Sequence, residues 1–139
     1  MALRVAALAV VLAIAAGAAV AGLTLASSGS RADSVSFVPL RGRFHPDTQA
    51  TAGRASVVER GGHRELRLVA FHTKAAPELY LYVLQPNGKS SLLGKLHSPG
   101  GDQTYRVPDS LDMRPGAAVV VWCDYCQAPW GRAILRSPT

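Results

Sequence analysis

The chain has 139 residues, 48% of them hydrophobic, which is a one-domain length with enough apolar material to bury its own core without obligatory staples. Lysine and arginine outnumber aspartate and glutamate by 15 to 9, for a formal charge of +6, yet the arginines form no run and aromatic residues make up only 6%. A nucleic-acid platform, which interleaves basic and aromatic side chains, is therefore excluded, and the scattered charges read as solvated surface.

The first element is an apolar segment. Residues 5–26 carry no charge and follow Arg4; as a helix they would rise about 33 Å, enough to cross a hydrocarbon core of about 30 Å. Ala19-Val20-Ala21 also has the small-x-small form that a signal peptidase cuts. Residues 1–26 are thus expected to be a signal peptide or a membrane anchor. The first cysteine of the chain is Cys123, so a lipid attached just after the apolar run is excluded. The positive flank places the remainder of the chain outside the cytoplasm, membrane-anchored or secreted. Residues 27–36 are small and polar and read as a flexible tether. The folded domain is expected over 37–137.

Beyond the tether, apolar positions recur with period two between Gly and Pro clusters, the pattern of half-buried strands, and no helix-length period of 3.6 appears. Strands are predicted over 41–44, 53–59, 65–71, 79–85, 91–96, 104–107, 117–123 and 132–135. Gly61-Gly62 and Asn87-Gly88 fall between strand pairs and accept the positive φ that tight hairpins demand. Val119-Val120-Val121-Trp122 is apolar at every position, so that strand should be covered on both faces. About eight short antiparallel strands joined by turns point to an all-β domain, expected as a single β-sandwich.

The strand over 117–123 runs into Cys123, and Cys126 follows three residues later. Had the strand continued, the two Cα atoms would lie about 10 Å apart on opposite faces, whereas a disulfide needs them within about 7 Å. A bond therefore requires a turn at Asp124-Tyr125, and Gln127-Ala128-Pro129 permits one. Three readings of the pair stay open: a simple disulfide, a redox-cycling couple, and metal or haem ligation. A thioredoxin-type site is excluded because no helix is predicted to start at Cys123. Covalent haem is excluded because Gln127 stands where its histidine would follow the second cysteine. His45, His63, His72 and His97 lack the paired spacing of a zinc site, and no hydrolase signature is present.

An ordered set of short motifs carries a resemblance. Phe44, Gly53, the strand from Leu66 to Phe71, Pro77-Glu78-Leu79-Tyr80-Leu81-Tyr82, Leu93-Gly94-Lys95-Leu96, Gly101-Asp102-Gln103-Thr104-Tyr105, Pro108, Asp112, Val121-Trp122-Cys123 and Gly131-Arg132-Ala133-Ile134-Leu135 follow one another along the domain. In this order they resemble the DM13 family of small extracytoplasmic β-domains, for which electron transfer has been proposed. The resemblance covers roughly residues 42–136. It implies that Cys123 is the family's characteristic cysteine, acting as a bare thiol or as ligand of a prosthetic group such as haem. Two positions depart from the family pattern: Ala75-Ala76-Pro77-Glu78-Leu79 replaces an Asn-Gly-Pro-Asp-Leu type of segment, and Cys126 replaces an aromatic residue.

The expected protein is a non-hydrolytic extracytoplasmic domain with a redox role. Cys123 is expected as the active atom, Cys126 as its resolving partner, and Trp122 and Tyr125 as the flanks of the site. The competing class is a cell-surface binding module in which Cys123 and Cys126 form an inert clip and the basic surface meets an envelope component. A redox partner or envelope component is implied, with membrane contact through the N-terminal segment if it is retained.

Overall fold

A computed structural model describes residues 37–138. The leader over 1–26 and the tether over 27–36 lie outside the described residues. Eight strands follow in order: β1 (Leu40–Pro46), β2 (Thr51–Arg60), β3 (His63–Thr73), β4 (Leu79–Leu84), β5 (Ser90–Lys95), β6 (Gly100–Val107), β7 (Ala118–Cys123) and β8 (Ala128–Ile134). All eight predicted strands are present, and no helix occurs among the described residues.

Every ladder is antiparallel, and the spatial order is β5-β4-β7-β8-β1-β2-β3-β6. This is one continuous sheet rather than the two facing sheets of the expected sandwich. The reason lies in β1, whose residues Leu40 to Arg43 pair with β2 while Phe44 to Pro46 pair with β8, so that a single strand joins the two halves. The sheet curls until its end strands β5 and β6 approach each other, an arrangement close to a barrel.

Bulges sharpen the curl. The β2–β3 register shifts at Gly53 and the β3–β6 register shifts between Leu68 and Phe71, where Ala70 takes a positive φ of 52° and its amide donates to Asp102 Oδ1 at 2.9 Å. Gly53 has φ 115°, and a Cβ there would meet the backbone of Ala70 and Phe71 at 2.7–3.0 Å. Glycine is required by both conformation and space.

The hairpins differ in their chemistry. Gly61 and Gly62 both take positive φ, as a two-residue β2–β3 turn requires. Between β4 and β5 only Gly88 does so: Pro86 and Asn87 form the bend, the Gly88 amide bonds to the Gln85 carbonyl at 2.8 Å, and Asn87 Oδ1 accepts from the Lys89 amide.

Alternation decides what fills the interior. Leu79, Leu81 and Val83 of β4 point inward with Val119, Val121 and Cys123 of β7, and meet Leu40, Phe44, Leu66, Leu68 and Phe71 from the other half. Phe44 and Phe71 pack edge to face with centroids 5.1 Å apart. Leu111 and Met113, in the β6–β7 connection, are buried against the same core. That connection is held by Arg64 Nη2, which donates to the carbonyls of Pro108 and Leu111, and by Gln85 Oε1, which accepts from the Asp112 amide. Residues Ala118 to Val121 are all buried, but Trp122 is half-buried on the outer face, so the expected cover on both faces from 119 to 122 is met only in part, because a single curled sheet has no second layer over its outer side.

Candidate functional site

The end of β7 builds the site. Inward alternation carries Cys123 into the core at 0% exposure, opposite Leu79 of β4 and Ala128 of β8. The chain then turns over Asp124 to Gln127, with Gln127 at φ 54°, and Cys126 emerges on the exposed side. The turn brings the two Cα atoms to 5.2 Å and the sulfurs form a disulfide. This bond is common to two of the three readings of the pair, the simple disulfide and the redox-cycling couple.

Three hydrogen bonds hold this hairpin. The Cys126 amide donates to Cys123 Sγ at 3.1 Å. Gln127 Nε2 donates to the Asp124 carbonyl at 2.7 Å, and the Asp124 amide donates to the carbonyl of Glu78 at 3.0 Å. Glu78, which departs from the family pattern in sequence, sits at φ 59° in the loop between β3 and β4 and so fixes the base of the hairpin. Its role was not legible from its spacing, because the contact crosses more than forty residues of chain.

The expected flanking residues separate. Tyr125 stands at the tip, 80% exposed. Trp122 faces outward from β7 and meets Tyr82 of β4 edge to face at 6.4 Å. These two rings, with Val120, Asp124, Gln127 and Arg132, line an outer groove of about 460 Å³ that ends at the disulfide hairpin. A second recess, of about 290 Å³, is lined on the neighbouring side by Glu78, Lys95 and His97. The remaining aromatic residue of the bend, Trp130, occupies a bulge in the β7–β8 register and is buried.

Beside this recess lies a polar network that the sequence did not announce. Tyr105 is 6% exposed, its ring stacks on His97 with centroids 4.1 Å apart, and its hydroxyl accepts from the His97 amide at 2.8 Å. The hydroxyl donates to Gln103 Oε1 at 2.5 Å, while Gln103 Nε2 donates to the Ser98 carbonyl at 2.7 Å. Burial pushes the phenol's pKa up from its ordinary value near 10.0, and the hydrogen bond from the His97 backbone pulls it partly back.

Haem does not fit the residues around Cys123. The sulfur is bonded to Cys126 and enclosed by the core, and none of the three surface grooves is lined by Cys123. His45 and His72 are exposed on β1 and β3, His63 lies 3.7 Å from Glu65, and His97 stacks on Tyr105. Among the described residues no three His, Cys, Asp or Glu side chains converge as a metal-holding group. An iron at Cys123 would require both the disulfide and the surrounding core to open.

Comparison with known families finds one match: the family model described as electron transfer DM13 aligns with residues 43–135. That span runs from β1 to the end of β8 and includes both cysteines. No curated protein and no solved structure matches the chain.

Proposed function

Because this chain belongs to the DM13 family, we propose that it is a redox protein whose working couple is the Cys123–Cys126 disulfide, exchanging two electrons with a thiol-bearing partner. The supporting observation is the asymmetry of the pair: Cys126 is exposed at the hairpin, while Cys123 is enclosed and accepts a hydrogen bond from the Cys126 amide.

A thiolate of the partner attacks Cys126 Sγ, since Cys123 is out of reach. A partner-to-Cys126 disulfide forms as the Cys123–Cys126 bond breaks, and the bonding electron pair leaves on Cys123 as a thiolate. The Cys126 amide, 3.1 Å from that sulfur in the oxidised state, favours the developing charge. A second thiolate of the partner then attacks its own sulfur in the mixed disulfide and releases Cys126 as a thiolate. The domain has gained two electrons, the partner holds a new disulfide, and both released thiolates take protons from water. In this order Cys126 is the sulfur that meets the partner and Cys123 is the leaving sulfur, which differs from the sequence expectation of Cys123 as the active atom and Cys126 as its resolving partner. Trp122 and Tyr82 form an apolar wall along which the partner's chain can lie.

The reading carries a location. An oxidisable pair of this kind persists outside the cytoplasm, and the uncharged run over 5–26 supports export, with the domain anchored or secreted.

Trapping tests the order of attack. Reduced Cys123→Ser, which keeps Cys126, should form a stable adduct with oxidised glutathione, whereas Cys126→Ser should react at least about tenfold more slowly because its remaining thiol is buried. Equal rates in the two variants would refute the assignment.

A further inference from the structure

Arginines that are scattered along the sequence converge on one face of the sheet. In β1, Arg41 and Arg43 alternate outward between the inward positions Leu40 and Phe44. The β1–β2 register sets Arg43 directly opposite Arg54, and Arg41 forms an isolated bridge with Arg136, exchanging two backbone hydrogen bonds at 2.9 and 2.8 Å. Directly opposed residues of an antiparallel pair project from the same face. Arg41, Arg43, Arg54 and Arg136 are all exposed, and none makes an ion pair among the described residues. By contrast Arg67, Arg114 and Arg132 each have a carboxylate partner.

Like charges placed opposite each other destabilise a sheet by several tenths of a kcal/mol. Two such pairs side by side therefore contribute nothing to the stability of the fold. Between the arginine stems runs a groove of about 470 Å³, floored by Gly42 and Ala55 and closed on one side by Val69.

We propose that this groove is an anion site that takes a linear phosphate polymer. Arginine rather than lysine supplies the three charges that line the groove, with Arg136 beside them, and its planar fork matches phosphate oxygens two at a time. Along β1, Arg41 and Arg43 stand about 6.6 Å apart, the spacing of alternate residues in a strand, so the two can meet non-adjacent phosphates of one chain. The groove between the arginine stems has room for a single extended chain. No aromatic residue lines the groove, which leaves the phosphates and not stacked bases as the recognised feature. The site lies on the outer face of β1 and β2, separate from the β7–β8 hairpin, and does not depend on the redox reading.

Binding of labelled inorganic polyphosphate to the full chain in neutral detergent micelles tests the proposal. The triple variant Arg41→Gln, Arg43→Gln, Arg54→Gln should bind at least about tenfold more weakly, with a flatter dependence on salt because fewer counterions are displaced. A control that removes the same charge elsewhere, Lys74→Gln, Lys89→Gln, Lys95→Gln, should change affinity less than about twofold. Equal weakening by both variants would reduce the effect to net charge and overturn the site, as would no binding by the parent chain. If micelles containing phosphatidylglycerol release the polymer at equal phosphate concentration, the occupant is a lipid surface and the polymer assignment fails. Retention of the parent circular dichroism by the triple variant excludes unfolding as the cause.

Discussion

Reducing the disulfide should weaken the domain without unfolding it, and the size of the effect follows from the loop it closes. Cys123 and Cys126 are separated by three positions, and in the chain-entropy relation a loop of about four residues contributes roughly 2 kcal/mol at 25 °C, less than half of what a loop of about 100 residues contributes. The rest of the fold is independent of the bond: eight strands share one buried cluster, and the β7–β8 ladder is formed by backbone pairing from Ala118 to Cys123. Urea denaturation of the oxidised chain and of the chain kept reduced by a phosphine should give parallel transitions offset by about 2 kcal/mol, and the melting temperature should fall by roughly 8–15 °C. The same cycle requires the native pair to be harder to reduce than the urea-unfolded pair by about 40 mV. Loss of the cooperative transition on reduction would show that the bond is a structural staple. Identical stability of the two forms would refute the entropy argument itself.

Other consequences can be read from single positions. Gly131→Ala places a Cβ about 2.5 Å from the buried Thr51 side chain and 2.8 Å from the His45 carbonyl, so β1 and β8 must separate locally, and urea titration should register a loss of about 1–3 kcal/mol. Tyr105→Phe leaves Gln103 Oε1 and the His97 amide without their partner and should cost about 1–3 kcal/mol by the same assay. Because burial raises the Tyr105 pKa, the unfolded chain gives up its phenol proton first. The Tyr105 contribution is thus complete below about pH 10 and is lost as pH climbs through the higher folded value; alkaline stability curves should show this loss in the parent and not in Tyr105→Phe. Arg54→Glu, set opposite Arg43, should stabilise the domain by about 0.2–1 kcal/mol at low salt, and calorimetry in 1 M salt should show the gain shrinking.

Local signals in the sequence carried the strands, because each depends on neighbours two positions away or on a turn residue. The pairs Leu66 and Leu68, or Val119 and Val121, announce an inward face, and Gly61-Gly62 announces the hairpin between β2 and β3. The need for a turn at Asp124-Tyr125 was equally local and is what the structure shows. Pairing between distant strands was not legible: nothing near Arg41 indicates that it sits beside Arg136, and nothing in β1 indicates that it changes partner at Phe44 and merges two sheets into one.

The candidate site follows the same division. Alternation along β7 places Cys123 with Val119 and Val121 inside and Trp122 outside, but the run over 119–122 is apolar at every position, so no period-two signal marked the family's cysteine as buried. The difference in exposure between the two cysteines, with Cys126 exposed and Cys123 enclosed, required the turn geometry. The Tyr105 network escaped because Gln103, Tyr105 and Ser98 are brought together by the bend between β5 and β6, with no spacing that marks them. The arginine groove escaped for a stronger reason, since its residues come from three separate stretches of chain and the sequence shows them as isolated surface charges.

The central claim is that Cys123 and Cys126 form a reversible couple, and its most direct test is the reduction potential of the pair in the folded chain. Equilibration against defined thiol–disulfide buffers, read by alkylation of the free thiols, should give a midpoint between about −180 and −300 mV, within reach of biological thiol partners. A midpoint below about −300 mV would mark an inert clip and contradict the account.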